Sequence, residues 1–213
     1  MAETDQSQMA PHNVFSDQSL MHNMFVNRLK ISNQMEIPTS YGLVAIVNEP
    51  TYSFNSADNA RPYTLDIILS SERITSIHGV RLNGDGILAV GAGGGCTSVH
   101  KNSALALGDK LYLAVGDHVA CFSLEPPFRK LWSIQADSAT CFGIHLQNER
   151  GALYSHGELA ITRLSPDGSI IWQVYGADIF SEEFRLMPGY IEAIDFNKSV
   201  YRFDYMTGEL LHC

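Results

Sequence analysis

From Tyr41 onward the chain alternates short apolar runs with turn residues, and the runs have the length of strands. Leu111 to Gly116, Val119 to Leu124 and Arg129 to Ile134 are rich in β-branched and aromatic residues, and they are separated by Gly116-Asp117-His118 and Pro126-Pro127. Runs punctuated in this way predict strands rather than helices. Gly151 to Ser155, Leu159 to Leu164 and Ser169 to Tyr175 repeat the arrangement, with turns at His156-Gly157-Glu158 and Ser165-Pro166-Asp167-Gly168. A further short strand opens each group, at Ala104 to Leu107, Cys141 to Leu146 and Phe184 to Met187. Upstream, Tyr41 to Val47, Tyr63 to Leu69, Ile74 to Leu82 and Ile87 to Val90 supply strands around a long loop from Asn48 to Pro62. Residues 1–20 are polar and rich in Gln and Ser, which predicts poor order. Leu20 to Ile31 fits a short helix through Met21, Phe25 and Leu29, or a strand through Phe25, Asn27, Leu29 and Ile31; the helix is favoured as far as Leu29.

These groups recur with a period of forty residues. Trp132, Trp172 and His212 are spaced by 40 and 40, and the residues before them align without a gap, Leu124 lying over Leu164. A fourth copy lies upstream after a shift of two residues, where Arg81-Leu82-Asn83-Gly84-Asp85-Gly86 matches Arg163 to Gly168 and Val90 takes the tryptophan position. Four short strands in about forty residues is the content of one propeller blade. The reading is therefore an all-β, propeller-like array of about four four-stranded antiparallel blades preceded by a short arm or helix. The arm covers 1–40 and the repeat domain 41–213, in units of about 41–92, 93–137, 138–178 and 179–213. The glycine in each Asp-Gly or Thr-Gly turn supplies positive φ without steric penalty. A tryptophan four residues beyond it is placed to bridge one blade to the next, since a sheet needs cover on both faces.

The run Asp204-x-x-Thr207-Gly208-x-x-x-His212 resembles the tryptophan-docking repeat of the quinoprotein-like β-propellers, Ala-x-Asp-x-x-Thr-Gly-x-x-x-Trp. Leu164, Asp167, Gly168 and Trp172 occupy the Asp, Thr, Gly and Trp positions of that pattern, while Leu124 and Trp132 keep its frame without the glycine. The resemblance implies a propeller fold and does not specify an activity. Members that bind pyrroloquinoline quinone have about eight blades, at the upper end of the propeller range. With about four units, this chain is not expected to bind that quinone, and no other cofactor is predicted.

Composition narrows the partners. The 213 residues carry 14 Lys+Arg against 23 Asp+Glu, a net charge of −9, and 45% are hydrophobic, enough for a substantial core. The few basic residues are scattered, which argues against nucleic acid as a partner. No apolar run approaches the roughly 18 residues of a membrane helix. The acidic and amide residues of Met1 to Gln8 do not form a signal-peptide start, so a cytoplasmic location is expected. Cys96, Cys121, Cys141 and Cys213 are isolated from one another and read as reduced thiols without metal-ligand spacing.

Candidate chemistry is sparse. Gly91-Ala92-Gly93-Gly94-Gly95 suggests a phosphate loop, but Cys96 to His100 supplies no helix N-terminus to face a phosphate, so a passage between blades fits better. His118 and His156 fall in tight turns, whose tips are ordinarily solvated. His145 lies in a first-strand segment at the frame position of Leu105 and Arg185, and His100 precedes the equivalent strand one unit earlier. With Glu182 and Glu183, the trio His100, His145 and Arg185 forms a candidate site at the channel mouth. No catalytic residue and no metal ligand set is assigned, because no nucleophile elbow or triad pattern occurs. The leading expectation is a non-catalytic scaffold that binds another protein through Tyr52 and Phe54 of the long loop and through Phe180 and Tyr190. One concrete version is an inhibitor or immunity-type protein covering a basic partner, whose association acidic charge would speed. The alternative is a small-molecule or glycan binder, or a hydrolase or lyase, at the channel mouth. Oligomeric state stays open.

Overall fold

The computed structural model describes residues 34–70 and 73–211, so the helix expected near Leu20 to Leu29, His212 and Cys213 lie outside the described residues. The described residues form sixteen strands and no helix, arranged as four sheets in chain order. The first sheet contains β1 (Gln34–Thr39), β2 (Gly42–Asn48), β3 (Leu65–Ile68), β4 (Ser76–Leu82) and β5 (Asp85–Ala92), in the order β1-β2-β4-β5-β3. The second is β6 (Ala104–Leu107), β7 (Lys110–Val115), β8 (His118–Ser123) and β9 (Lys130–Gln135), and the third is β10 (Cys141–Gln147), β11 (Ala152–Gly157), β12 (Ala160–Leu164) and β13 (Ile170–Tyr175). The fourth has β14 (Phe184–Leu186), β15 (Ile191–Ile194) and β16 (Val200–Phe203). Within each sheet the strands follow as antiparallel neighbours, the exception being β3, which runs parallel to β5 at the outer edge of the first sheet. The chain is thus an all-β, propeller-like array of four sheets.

Period-two side-chain alternation explains how successive sheets stack. In β7, Leu111, Leu113 and Val115 face the first sheet, where Val44, Ile46, Val80 and Leu88 complete one core. The intervening Tyr112 and Ala114 face the third sheet and pack with Cys121, Ile144, Leu153 and Leu164. On the far side of the third sheet, Ala152, Tyr154 and Ile161 meet Phe180, Ile191, Ala193 and Phe203. The two middle sheets are therefore covered on both faces, and their central strands are buried almost throughout. Among the described residues no further core cluster joins the fourth sheet to the first.

Each tryptophan docks on the following sheet. The indole of Trp132 lies where a side chain on Gly168 would stand, and its Nε1–H donates to the Pro166 carbonyl at 3.0 Å. Trp172 repeats the contact one sheet later, lying against Gly208 and donating to the Tyr205 carbonyl at 3.3 Å. The receiving turns are built for it. Gly168 has φ 89° and Gly208 φ 75°, and Asp204 holds its turn by accepting from the Met206 and Thr207 amides at 2.7 and 2.9 Å. A β-bulge precedes the tryptophan in each outer strand: Cys121 pairs with Trp132 and Phe122 with Lys130, as Arg163 pairs with Trp172 and Leu164 with Ile170. Bulging Leu131 and Ile171 out of the ladder bends the strand and re-aims the next side chain.

The ladders correct several expectations. Residues read as the end of the arm form β1, whose Met35 and Ile37 alternate with polar neighbours and pair along β2, so the first sheet begins before Tyr41. The same sheet has five strands, because the segment around Tyr63 to Leu69 is an added outer strand inside an insertion. Pairing makes Phe122, rather than Leu124, equivalent to Leu164, since the Pro-Pro connection is longer than the Ser165–Gly168 turn. In the first sheet Val80 pairs with Leu88 and Arg81 with Gly86, so Leu88, rather than Val90, holds the tryptophan position; the two-residue Asn83-Gly84 turn, with both residues at positive φ, shortens that hairpin. The fourth sheet has three full strands, and Leu210 joins it through a bridge to Phe203.

The Trp132 contact predicts unequal costs for two glycine substitutions. Gly168→Ala adds a methyl group onto the indole at positive φ and should destabilise by about 2–4 kcal/mol. Gly151→Ala, also at positive φ (58°) but facing open space, should cost only about 1 kcal/mol. Urea unfolding of both variants measures the difference; equal losses would mean that the indole does not press on the turn.

Candidate functional site

Three regions carry the candidate residues. The first is the insertion between β2 and β4. Its base is Glu49, 6% exposed, which accepts from the Tyr63 hydroxyl at 2.6 Å and from Arg61 Nη1 at 3.0 Å. Asn59 ties the loop to itself, accepting from the Ser53 amide at 2.8 Å and donating to the Ser53 and Ser56 carbonyls at 2.8 and 3.0 Å. Asp66, on β3, accepts from the Tyr52 hydroxyl at 2.6 Å and the Asn55 amide at 2.9 Å. Partial burial and this carboxylate push the Tyr52 phenol up to about 12, so it stays a donor at neutral pH. The Tyr52 ring meets Phe54 and Tyr63 edge-on, with centroids 5.5 Å apart in both pairs, and Phe54 covers Gly91 of β5. Tyr52 and Phe54 thus brace the insertion against its own sheet, and Tyr52 also borders a surface hollow of about 470 Å³.

The remaining expected contact residues divide. Phe180 is fully buried, edge-on to Tyr201 and Phe203, and is a core ring rather than a surface contact. Tyr190 is half-buried beneath the guanidinium of Arg202, which stands 5.4 Å from the ring centre.

The second region is a histidine group around the first strands. His145 lies 6.4 Å from His156 and 4.5 Å from Phe184, centroid to centroid, and the His156 and Phe184 rings stack at 5.0 Å. His156 is buried, contrary to its expected place at a solvated turn tip, because it closes β11 and its Nε2–H donates to the Phe180 carbonyl at 2.9 Å. His100 is exposed and bonds the Phe142 carbonyl through Nε2 at 2.6 Å. Arg185 does not join this group. Phe184 turns toward the histidines, so its neighbour on β14 faces the other way, where Arg185 pairs with Glu192 at 2.6 Å and Glu183 at 3.1 Å. Glu182 is drawn off by Lys198 at 2.6 Å. His78, buried in β4, has no hydrogen-bond partner at either ring nitrogen, and neither has Nε2 of His145. Burial lowers His78 to about 4, His145 to about 3 and His156 to about 4, with repulsion from His100 adding to each and from His156 also to His145. All three are neutral at pH 7. Among the described residues no three His, Cys, Asp or Glu side chains converge closely enough to hold a metal ion.

Other reactive groups have structural partners. His118 Nδ1 lies 2.6 Å from the buried Asp117 carboxylate, which also accepts from Gln135 at 2.8 Å. Burial raises the Cys141 thiol to about 12 and Cys121 to about 11, and these two and the exposed Cys96 are unpaired. Asp137 escaped sequence reasoning. Only 1% exposed, it accepts from the amides of Ala139, Thr140, Leu159 and Ala160 at 2.6 to 3.2 Å and clamps the second sheet to the β11–β12 turn. Its one sequence signal is the Asp-Ser-Ala-Thr run after a strand, suited to a carboxylate-capped turn.

The third region is the outer rim. The outermost element of every sheet exposes large aliphatic side chains: Leu65 and Ile68 on β3, Leu131 on β9, Ile170 and Ile171 on β13, and Leu210 and Leu211 beside β16. Ile68 and Ile171 are about half exposed, at 49% and 50%.

No family model matches the chain, and no curated protein matches it in sequence. Among solved structures it is similar to the AfRom2 CNH domain, at 14% identity with a TM-score of 0.48, over 84% of this chain and 53% of that one. It is also similar to BamB from Moraxella catarrhalis, at 15% identity and a TM-score of 0.48, over 86% of this chain and 62% of that one. Similarity to the glutaminyl cyclase of Myxococcus xanthus covers 63% of this chain and 60% of that one, at 17% identity and a TM-score of 0.34. The chain spans between about half and six-tenths of the length of these structures. The class, an all-β propeller-like repeat protein, rests on its own four sheets.

The neutral histidines set a pH dependence. Free imidazole takes up a proton near 6.5, whereas these three resist it until about pH 4 or below. Between those values the unfolded chain binds more protons, so stability is full above pH 6.5 and falls as pH drops, by about 1.4 kcal/mol per unit for each histidine. Melting temperature measured from pH 8 to 4.5 should fall below pH 6.5, and His78→Leu, which removes one of the three buried rings, should flatten the decline. A flat profile in the parent protein would show that these rings are solvated.

Proposed function

We propose that the chain is a non-catalytic binding scaffold whose partner is another protein, held along the outer rim of the array. The observation that supports this is the recurrence of exposed aliphatic side chains on the outermost element of all four sheets. An outer strand also presents backbone donors and acceptors on its free edge, and edges of this kind are ordinarily blunted by charge or covered. Here Lys130 is the one charged residue on β9, and β13 carries none. A partner that adds a strand would satisfy those groups and bury the aliphatic row, with backbone bonds giving affinity and side-chain pockets giving specificity.

This reading places the protein-contact surface at the rim rather than at Tyr52 and Phe54, which brace the insertion against its own sheet, or at Phe180, which is buried. The net charge of −9 favours a basic partner surface around the aliphatic row, as an inhibitor or immunity-type protein would use, with acidic charge speeding encounter.

Ile171→Asp places a charge at the exposed bulge of β13 without entering a core cluster. A tagged parent protein should retain a stoichiometric protein from its native lysate in moderate salt. The variant should retain it at least about tenfold less, a change of about 1.4 kcal/mol. Equal retention by both proteins, or no partner above background, would contradict the proposal.

A further inference from the structure

The insertion between β2 and β4 leaves a hollow of about 470 Å³, bordered by Tyr52, Asn55, Asn59, Tyr63, Thr64 and Asp66. Pockets of about 300–1,000 Å³ are the usual size for small ligands. Its chemistry is selective. No lysine, arginine or histidine lines it, which disfavours a phosphate or carboxylate ligand, and its single carboxylate, Asp66, is too few oxygen donors for a hard cation. What remains is aromatic surface from two tyrosines beside amide, hydroxyl and carboxylate groups.

The polar groups divide into those that build the hollow and those left to bind. Asn59 is spent on Ser53 and Ser56, the Tyr63 hydroxyl on Glu49, and the Thr64 hydroxyl on the Gly86 carbonyl at 3.1 Å. The Asn55 side-chain amide takes no part in these bonds, and the residue is held at φ 60° with its backbone amide fixed by Asp66. Each Asp66 oxygen accepts one bond from the insertion, from Tyr52 and from Asn55, and retains acceptor capacity. A preset amide donor and acceptor, a carboxylate acceptor and a tyrosine ring face suit a ligand with many hydroxyls on an otherwise apolar ring. We propose that this hollow binds a neutral sugar, a mono- or disaccharide, with Asn55 and Asp66 bonding its hydroxyls and the tyrosines receiving its C–H face. The hollow meets the outer rim at the first sheet, where Leu65 borders both, whereas the rim is tested at Ile171 of the third sheet, so either can fail without the other.

The test is a titration of the isotope-labelled full chain with glucose, galactose, N-acetylglucosamine and maltose, each to about 50 mM, read by amide chemical shifts, which reports binding with dissociation constants in the millimolar range. At least one sugar should give saturable shifts confined to the segment from Ser53 to Asp66. Asn55→Gly keeps the positive φ and removes only the amide, so it should keep the parent melting temperature and weaken binding at least tenfold. Asp66→Asn, which retains one acceptor, should weaken it less than Asn55→Gly combined with Asp66→Ala. No saturable shift with any of the four sugars would overturn the proposal. Unchanged binding by Asn55→Gly, or an equal response to sodium phosphate, would overturn it as well.

Discussion

A tryptophan from one sheet lying across the glycine turn of the next is the contact on which the array depends. A sheet of three to five strands cannot bury its two faces alone, so each must be held at a fixed distance and angle from its neighbour. Trp132 on the Ser165–Gly168 turn and Trp172 on the Asp204–Gly208 turn provide that hold at the outer end of two successive interfaces. The core clusters fill the interior of the same interfaces. Between the first and second sheets the hold is made without a tryptophan, with Leu88 at that position and Phe128 packed against the shared core. Stability in such an array is close to a sum of neighbour-to-neighbour terms.

Polar groups buried between the sheets complete the scheme. Asp137 saturates four amides where the chain passes from the second sheet to the third, and the Ala136 carbonyl accepts from Thr162 and Gln173 at 3.0 Å each. These bonds compensate the cost of taking backbone groups out of water at the crossings. The histidines do the opposite. His78 and His145 carry nitrogens without partners, which ties the folded state to their neutral form.

Much of this was legible in the sequence. The forty-residue spacing of Trp132 and Trp172, the Asp-Gly and Thr-Gly turns and the strand-length runs point to four sheets, and the bridging place of the tryptophans follows from a two-faced sheet needing cover. The finer register was not legible. A two-residue Asn-Gly hairpin in one unit and a Pro-Pro connection in another change loop length without changing the hydrophobic pattern, so Leu124 and Val90 take equivalences that the ladders give to Phe122 and Leu88. Site residues fared differently because burial and side-chain direction decide them. Phe180 reads as an exposed aromatic yet sits in a core, and Arg185 shares the frame position of His145 but faces Glu192. The role of Asp66 lay beyond reach, since it depends on an insertion folding back to add a parallel strand.

The proposed binding surfaces follow from the same architecture, because the faces between stacked sheets are consumed by packing while the outer rim and the insertion stay exposed. The central claim, that docked tryptophans couple the second sheet to the third and the third to the fourth, is tested most directly by native-state hydrogen exchange in Trp172→Ala. The account predicts that amides of β15 and β16 lose protection strongly while those of β2, β4 and β7 keep theirs, since the lost contact joins only the third and fourth sheets. Equal loss across all four sheets, or no change in the fourth, would contradict it.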